Sequence, residues 1–289
     1  MAIRWLFAAM AACIWPLTAP LAALTVLDLP PSSRWNMRYQ DGSCELMRQF
    51  GTGNDEIVVQ FSRTQPSTSF ALRLFGKPFS NDDPYQDVRV AFGDAPATEP
   101  LKDRLSGFVG KVSFVDLGAF TLAGPIVAIR GAADIWTPEQ EASVTRLTVG
   151  PQRGKVYRLQ LGSMRAPMQA MRTCTDDLVR AWGYDPAAMS ALLRPVALIG
   201  SPATWVTSND YPTDLLREGK LGLVTFRLDV DEVGKVIGCT VLRRAGDDAF
   251  AKKTCEILSR RAQFLPALDR EGKPTKAYWI SSARWMIPQ

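Results

Sequence analysis

LGLVTFRLDVDEVGKVIGCTVLRRAG, residues 221–246, decides how this 289-residue chain is to be read. It holds a Gly222-x-Val224-x-Phe226 strand and an Asp231-x-x-Gly234-Lys235-Val236 hairpin turn. On the second strand Cys239 keeps phase with Ile237 and Val241. Period-two spacing marks a strand with one buried face. Asp229-Val-Asp231-Glu-Val-Gly234 has a superficial likeness to a calcium loop. Counting Asp229 as the first ligand puts Thr240 at the twelfth position, where such a loop needs a bidentate glutamate. A β-turn between two strands accounts for these residues better.

Working outward, Tyr211-Pro212 opens a short helical stretch that ends at Gly219. Downstream, Ala251, Cys255, Leu258 and Ala262 recur at helical spacing. Phe264-Leu265-Pro266-Ala267, a DREGKP turn (269–274) and a strand-like stretch to Met286 complete the region. Cys239 and Cys255 both project from apolar faces, so a helix packed on the sheet brings them together as a disulfide requires. The short loop they close is worth roughly 3 kcal/mol on the chain-entropy account.

In this order the pieces resemble the C-terminal domain of the TonB family, the envelope proteins that couple the inner membrane to outer-membrane transporters. The resemblance rests on Tyr211, Pro212, Gly234, Phe264 and Pro266 and covers about 205–289. It implies an αββαβ fold whose last strand, 275–286, lies at a sheet edge. Unpaired N–H and C=O groups on an edge accept an extended peptide as an added strand. By resemblance, Tyr278, Trp279, Ile280, Ser281 and Ser282 lie along that docking edge. The implied partner is an envelope protein, in the family a segment of an outer-membrane TonB-dependent transporter. An edge used for homodimerisation, or covered by the rest of the chain, is the competing use. Similar cysteine-containing versions of the domain support the Cys239–Cys255 pairing.

The chain departs from a full energy transducer. In the family an uncleaved N-terminal helix carries a functional histidine, and a long proline-rich spacer crosses the periplasm. This sequence has no histidine, and its proline-containing linker, 194–202, reaches ~30 Å at most. The output domain is expected without the motor contact, and so without proton-motive-force transduction. The missing histidine also excludes His-ligated metals and Ser-His or Cys-His catalysis.

Composition is that of an ordinary globular protein, 46% hydrophobic and 22% charged, with a net charge of +5. Lys252-Lys253 and Arg260-Arg261 share one expected helix, read as a solvated face and not as a nucleic-acid stripe. Arg4, the apolar run Leu6–Ile14 and TAPLAA (18–23) read as a cleaved signal peptide, residues 1–23. Periplasmic export follows, with an inner-membrane anchor as the alternative, in which case membrane contact is confined to that anchor. Loss of the signal removes Cys13 and leaves Cys44, Cys174, Cys239 and Cys255. Four cysteines allow three connectivities. Domain order favours Cys44–Cys174 beside Cys239–Cys255.

Residues 33–185 read as a β-rich periplasmic domain of no recognised family. Short runs at 57–61, 70–75, 88–92, 112–115 and 156–161, separated by turn clusters, suggest an antiparallel sandwich or barrel. Residues 24–34 read as a tail. Thr137-Pro138-Glu139-Gln140 marks a helix start, and 165–182 a helix stopped by Gly183. Residues 186–204 read as a short helix and linker, and 205–289 as the TonB-like domain. Asp82-Asp83 suits turn chemistry, and Asp176-Asp177 the polar face of a helix. Trp35, Trp136, Trp182, Trp205, Trp279 and Trp285 suit core packing or domain contact.

The expectation is therefore an α+β, non-enzymatic protein without cofactor, metal or nucleic acid, acting in the cell envelope by strand addition and linked to TonB-dependent outer-membrane transport. The alternatives are a small-molecule-binding or hydrolytic periplasmic protein with an accessory TonB-like domain, and a structural homodimer.

Overall fold

The computed structural model describes residues 25–80, 88–101, 105–125, 136–151 and 155–287. The expected signal peptide and Asp82-Asp83 lie outside the described residues. The fold is α+β, with a β-rich N-terminal region and a smaller C-terminal region that mixes strands and helices.

The N-terminal strands are β1 (Thr25–Leu29), β2 (Asn36–Gln40), β3 (Ser43–Phe50), β4 (Ile57–Arg63), β5 (Phe70–Phe75), β6 (Val88–Phe92), β7 (Leu105–Val109), β8 (Val112–Thr121), β9 (Gly124–Pro125), β10 (Arg146–Pro151) and β11 (Lys155–Gln160). One sheet runs β1-β11-β10-β6 and the other β2-β3-β4-β5-β8-β7, with β9 on the end of β8. They share one core, in which Val90, Phe92, Leu147 and Leu159 of the first sheet join Leu46, Phe61, Leu72 and Phe120 of the second. Period-two alternation produces this, because inward residues of each strand are apolar. The tail reading of 24–34 is corrected: Thr25–Leu29 pairs with β11, and it does so in parallel. Leu29 is buried there, which a free tail could not achieve.

Helix α1 (Pro138–Ser143) starts at Thr137 with both hydrogen bonds of a capping box, to and from Gln140. Helix α2 (Arg165–Ala181) lays Met168, Met171, Cys174 and Leu178 into the core. The Cys44–Cys174 disulfide fastens it to β3, with Cα atoms 6.0 Å apart. The helix ends in a Schellman motif. Gly183, at φ 86°, donates to the Arg180 carbonyl, and Tyr184 donates to that of Val179. Glycine is needed at that left-handed position.

Helix α3 (Pro186–Ser190), capped by Asp185, leads into the C-terminal region. The linker reading of 194–202 is corrected. β12 (Ala197–Leu198) pairs with β15 (Phe264–Leu265), and Arg194 bridges to Leu268. The Arg194 guanidinium also donates to the Pro266 carbonyl at 2.9 Å. Helix α4 (Thr213–Arg217), β13 (Gly222–Val230), β14 (Val236–Ala245), helix α5 (Asp248–Arg261), β16 (Ala267–Leu268), β17 (Pro274–Thr275) and β18 (Ala277–Trp285) follow. The central sheet is β14-β13-β18, with α5 on one face. Cys239 of β14 is bonded to Cys255 of α5, their Cα atoms 5.6 Å apart.

Two turns of this domain are built alike. In Asp231-Glu-Val-Gly-Lys235 and in Asp269-Arg-Glu-Gly-Lys273, the aspartate side chain accepts from the N–H groups two and four residues on. Its own N–H donates to the lysine carbonyl, and the glycine N–H returns to its carbonyl. The Asx geometry explains the choice of aspartate, and the positive φ explains the glycine. Among the described residues no helix is long and apolar enough to cross a membrane.

Candidate functional site: the edges of the C-terminal sheet

β13 is the centre of its sheet, so β14 and β18 are its two edges. Val224, Phe226, Leu228 and Val230 of β13 are buried on the α5 side. From β18, Trp279 packs among Trp205, Phe226 and Phe264. Trp285 stacks on Phe250 and donates its indole N–H to Thr254 at 3.0 Å. The opposite face carries Leu223, Thr225, Arg227 and Asp229, set across from Arg284, Ser282, Ile280 and Tyr278. This polar face looks toward the N-terminal domain.

The direction of the backbone groups on β18 follows from the hairpin. Asp231 N–H bonds to the Lys235 carbonyl, on the β14 side. Alternation then sends the odd-numbered groups of β13 to β14 and the even-numbered ones to β18. With Phe226 opposite Ser281 and Leu228 opposite Trp279, Ser281 and Trp279 spend their N–H and C=O groups on β13. Tyr278, Ile280, Ser282 and Arg284 point theirs outward. Tyr278, Trp279, Ile280, Ser281 and Ser282 all lie on β18, an edge strand of this sheet, in two structural roles. Ile280 and Ser282 present edge groups. The Trp279 side chain belongs to the core. Tyr278 presents edge groups while its ring meets Trp182 and Tyr184 at 5.3 and 5.2 Å.

The other edge is touched and irregular. The Asp41-Gly42 turn between β2 and β3 abuts β14, so closely that a Cβ on Gly42 would lie 2.4 Å from the Leu242 carbonyl oxygen. Two register shifts also break β14, and they leave Ile237 and Leu242 without a partner position on β13. The first overturns the expected phase. Val236 is 8% exposed and faces the core, while Ile237 is 50% exposed. An extra residue inverts the alternation, so apolar character alone misassigns the face.

Of the residues that join the domains, Trp182 is where a core or domain contact was expected, while Tyr184, Arg227 and Asp229 were missed. Trp182 lies over the Arg227 guanidinium at 4.7 Å. Tyr184 donates its hydroxyl to Asp229 at 2.9 Å and touches the Ala277 carbonyl at 3.3 Å. Burial first, and the Asp229 carboxylate second, push the Tyr184 phenol well above its ordinary value. Burial pushes Tyr278 up to about 12. Both phenols pack against aromatic neighbours, and Tyr184 adds a polar tip on Asp229. Gly183 was the available signal, since a Schellman stop fixes the direction of the residue after it.

The motif residues are structural. Tyr211 packs edge-on against Phe250 and Trp285 and bonds the Lys220 carbonyl. Pro212 caps α4. Gly234, at φ 86°, lies so close to Phe264 that a Cβ would come within 2.0 Å of its carbonyl oxygen, with Pro266 beside it. Phe264 is buried against Trp205. The basic face of α5 is only partly solvated. Lys253 and Arg260 pair with Glu256, but Arg261 grips Asp210 at 2.7 and 2.9 Å and the Trp205 carbonyl at 2.9 Å. Those hydrogen bonds, with help from Thr207, hold the Asp210 carboxyl well below the usual range despite its burial. Asp177 pairs with Arg180 on the exposed side of α2. Trp35 stacks on Phe61 in the N-terminal core. Among the described residues no group of three or more cysteines and carboxylates could hold a metal ion.

The edge geometry, the Gly234–Phe264 contact and the Tyr211 anchor all fall in one stretch. Residues 207–285 match the family of the Gram-negative bacterial TonB protein C-terminal. No curated protein and no solved structure gave a match. The TonB-like region thus begins just after Trp205 and ends at Trp285, taking in both outer strands of the sheet. It links the chain to the Gram-negative envelope.

Proposed function

We propose that this chain is a non-enzymatic, periplasmic envelope protein that captures an extended segment of a partner by strand addition to the outer edge of β18. One observation carries the reading: β18 has a single strand neighbour among the described residues and an unbroken register, while the other edge of the same sheet is bulged twice and abutted at Leu242 by the Asp41-Gly42 turn. The outward N–H groups of Tyr278, Ile280 and Ser282 then supply main-chain hydrogen bonds, the source of affinity in strand addition. The partner class is an envelope protein, with a TonB-dependent outer-membrane transporter as the candidate that the family match suggests. Energy transduction is not part of the proposal, because the chain has no histidine and no long proline-rich spacer.

The test is a pull-down from envelope extract with the oxidised mature chain and with Ile280→Pro, which deletes one outward N–H. The expected result is loss of the specific partner with the circular dichroism spectrum unchanged. An identical partner set from both proteins would overturn the reading. Self-association that Ile280→Pro abolishes would assign the edge to a second copy of the chain instead.

A further inference from the structure

A cleft separates the two domains, apart from the β18 edge. One wall is the outer face of the β2-to-β7 sheet, with Val58 and Gln60 of β4 and Arg73 and Phe75 of β5; the other carries Leu242 and Arg243 of β14. Arg73, Val109 and Arg243 are shared by two lobes of about 680 and 590 Å³, the second reaching Ser62, Thr225 and Ser282.

Arg243 is turned into this cleft by the bulge at Leu242. Val241 pairs with Phe226, whose side chain faces α5, so unbroken alternation would send Arg243 to the α5 face as well. The extra residue instead sets Arg243 opposite Thr225, on the polar face. Among the described residues its guanidinium makes one hydrogen bond, a long 3.4 Å contact with the Ser62 hydroxyl. No carboxylate among the described residues lies within ion-pair distance of it. Asp116 is taken by Arg73 at 2.6 Å, and Glu45 lies beside Arg38 at 3.9 Å. Burial first, and then the neighbouring Arg73 charge, work against the Arg243 cation, while Asp116 and Glu45 offset them only in part; a carboxylate in direct contact would complete that compensation.

Gln60 supplies the second observation. It is 5% exposed, and its buried amide oxygen has no hydrogen-bond partner among the described residues. It pairs directly with Arg73 across the β4–β5 ladder, and Val58 with Phe75. A buried polar group left alone is costly. Val109 and Val112, both exposed, extend the apolar side of the cleft formed by Val58 and Phe75.

We propose that the interdomain cleft binds the carboxy-terminal residue of a peptide. The carboxylate pairs with Arg243, the last peptide unit with the Gln60 amide, and a small apolar side chain rests on Val58 and Phe75. A peptide unit offers both N–H and C=O, so it satisfies the Gln60 amide whichever way that amide is turned. A guanidinium is suited to a carboxylate by its two parallel N–H donors. The second lobe reaches Ser282 on β18, but the residues assigned here, Arg243, Gln60, Val58 and Phe75, all lie off that strand, so the proposal stands or falls without strand addition.

The test is titration calorimetry on the full oxidised chain with N-acetyl-Ala-Ala-Val as free acid and as carboxy-terminal amide. The acid is expected to bind at least about ten-fold more tightly than the amide, a difference typical of one charge-assisted contact. Arg243→Gln should erase that preference and Arg243→Lys retain part of it. Gln60→Leu should weaken acid and amide alike, and Ile280→Pro should change neither. Equal binding of acid and amide to the unaltered chain, no heat up to about 1 mM peptide, or an acid preference that survives Arg243→Gln would each overturn the proposal.

Discussion

β14 and β18 flank the same central strand and have met opposite fates. β18 keeps nine consecutive partners on β13, from Ala277 opposite Val230 to Trp285 opposite Gly222, with no shift in register. β14 is broken twice, and the Asp41-Gly42 turn sits against it. Bulges and coverage are devices by which sheets protect an edge. One edge of this sheet has both, while the other is flat, regular and free of proline. The contrast sets a regular, single-neighbour β18 beside a β14 that is bulged twice and touched by the N-terminal domain at Leu242. Gly42 abuts β14 at Leu242, and Trp182 and Tyr184 grip one end of the β18 face.

The largest test of the contrast is the Cys44–Cys174 bond. Cys44 lies two residues after Gly42, and Cys174 lies on the helix that ends at Trp182, so this bond serves both domain contacts. Replacing both cysteines by alanine should cost about 5 kcal/mol for so long a loop on the chain-entropy account, measured as a shift in urea unfolding. Removing Cys239 and Cys255, which are 16 residues apart, should cost roughly 3 kcal/mol and loosen α5 from β14 without freeing the β14 edge. A reversed ranking would mean that the longer loop is already restrained in the unfolded chain.

Gly42→Val attacks the closed edge directly, because its Cβ has no room beside the Leu242 backbone. Overpacking of this kind typically costs about 1–3 kcal/mol. The exposed β14 edge should then raise self-association by sedimentation velocity. A variant that stays monomeric with unchanged stability would show that the bulges alone protect β14. Ile280→Pro acts on the open edge and should cost about 1 kcal/mol or less, since the lost N–H faces away from β13. A loss of several kcal/mol would place that N–H inside the sheet and reverse the assignment of the edge groups.

The smallest effect is pH-dependent. Asp210, held by Arg261, has a folded pKa below its unfolded value. Its stabilisation is complete above the unfolded value of about 4 and is lost as pH falls through the folded pKa. Asp210→Asn should therefore lower stability at neutral pH and converge with the unaltered chain in strong acid. Parallel stability curves down to pH 2 would exclude the linkage.

Local patterns were legible where local chemistry decides. The strand at 70–75 and that at 88–92 stand at their expected bounds, and Thr137 forms its capping box. Cys239 and Cys255 meet because two periodicities put both on apolar faces. The Ile237 phase failed because a bulge costs only one unpaired residue and leaves no mark in hydropathy. The tail at 25–29 failed because parallel pairing with β11 joins residues far apart in the chain.

What the sequence by itself determined is the αββαβ order of the C-terminal domain, its two Asp-x-x-Gly-Lys turns, the helix caps and the Cys239–Cys255 pairing. Each depends on residues within a few turns of one another, whose φ/ψ preferences and hydrogen bonds need no distant partner. Only the tertiary structure decided which edge stays open, where Arg243 points and what Tyr184 holds. Those outcomes depend on contacts such as Gly42 with Leu242 and Tyr184 with Asp229, between elements that meet only after both domains have folded.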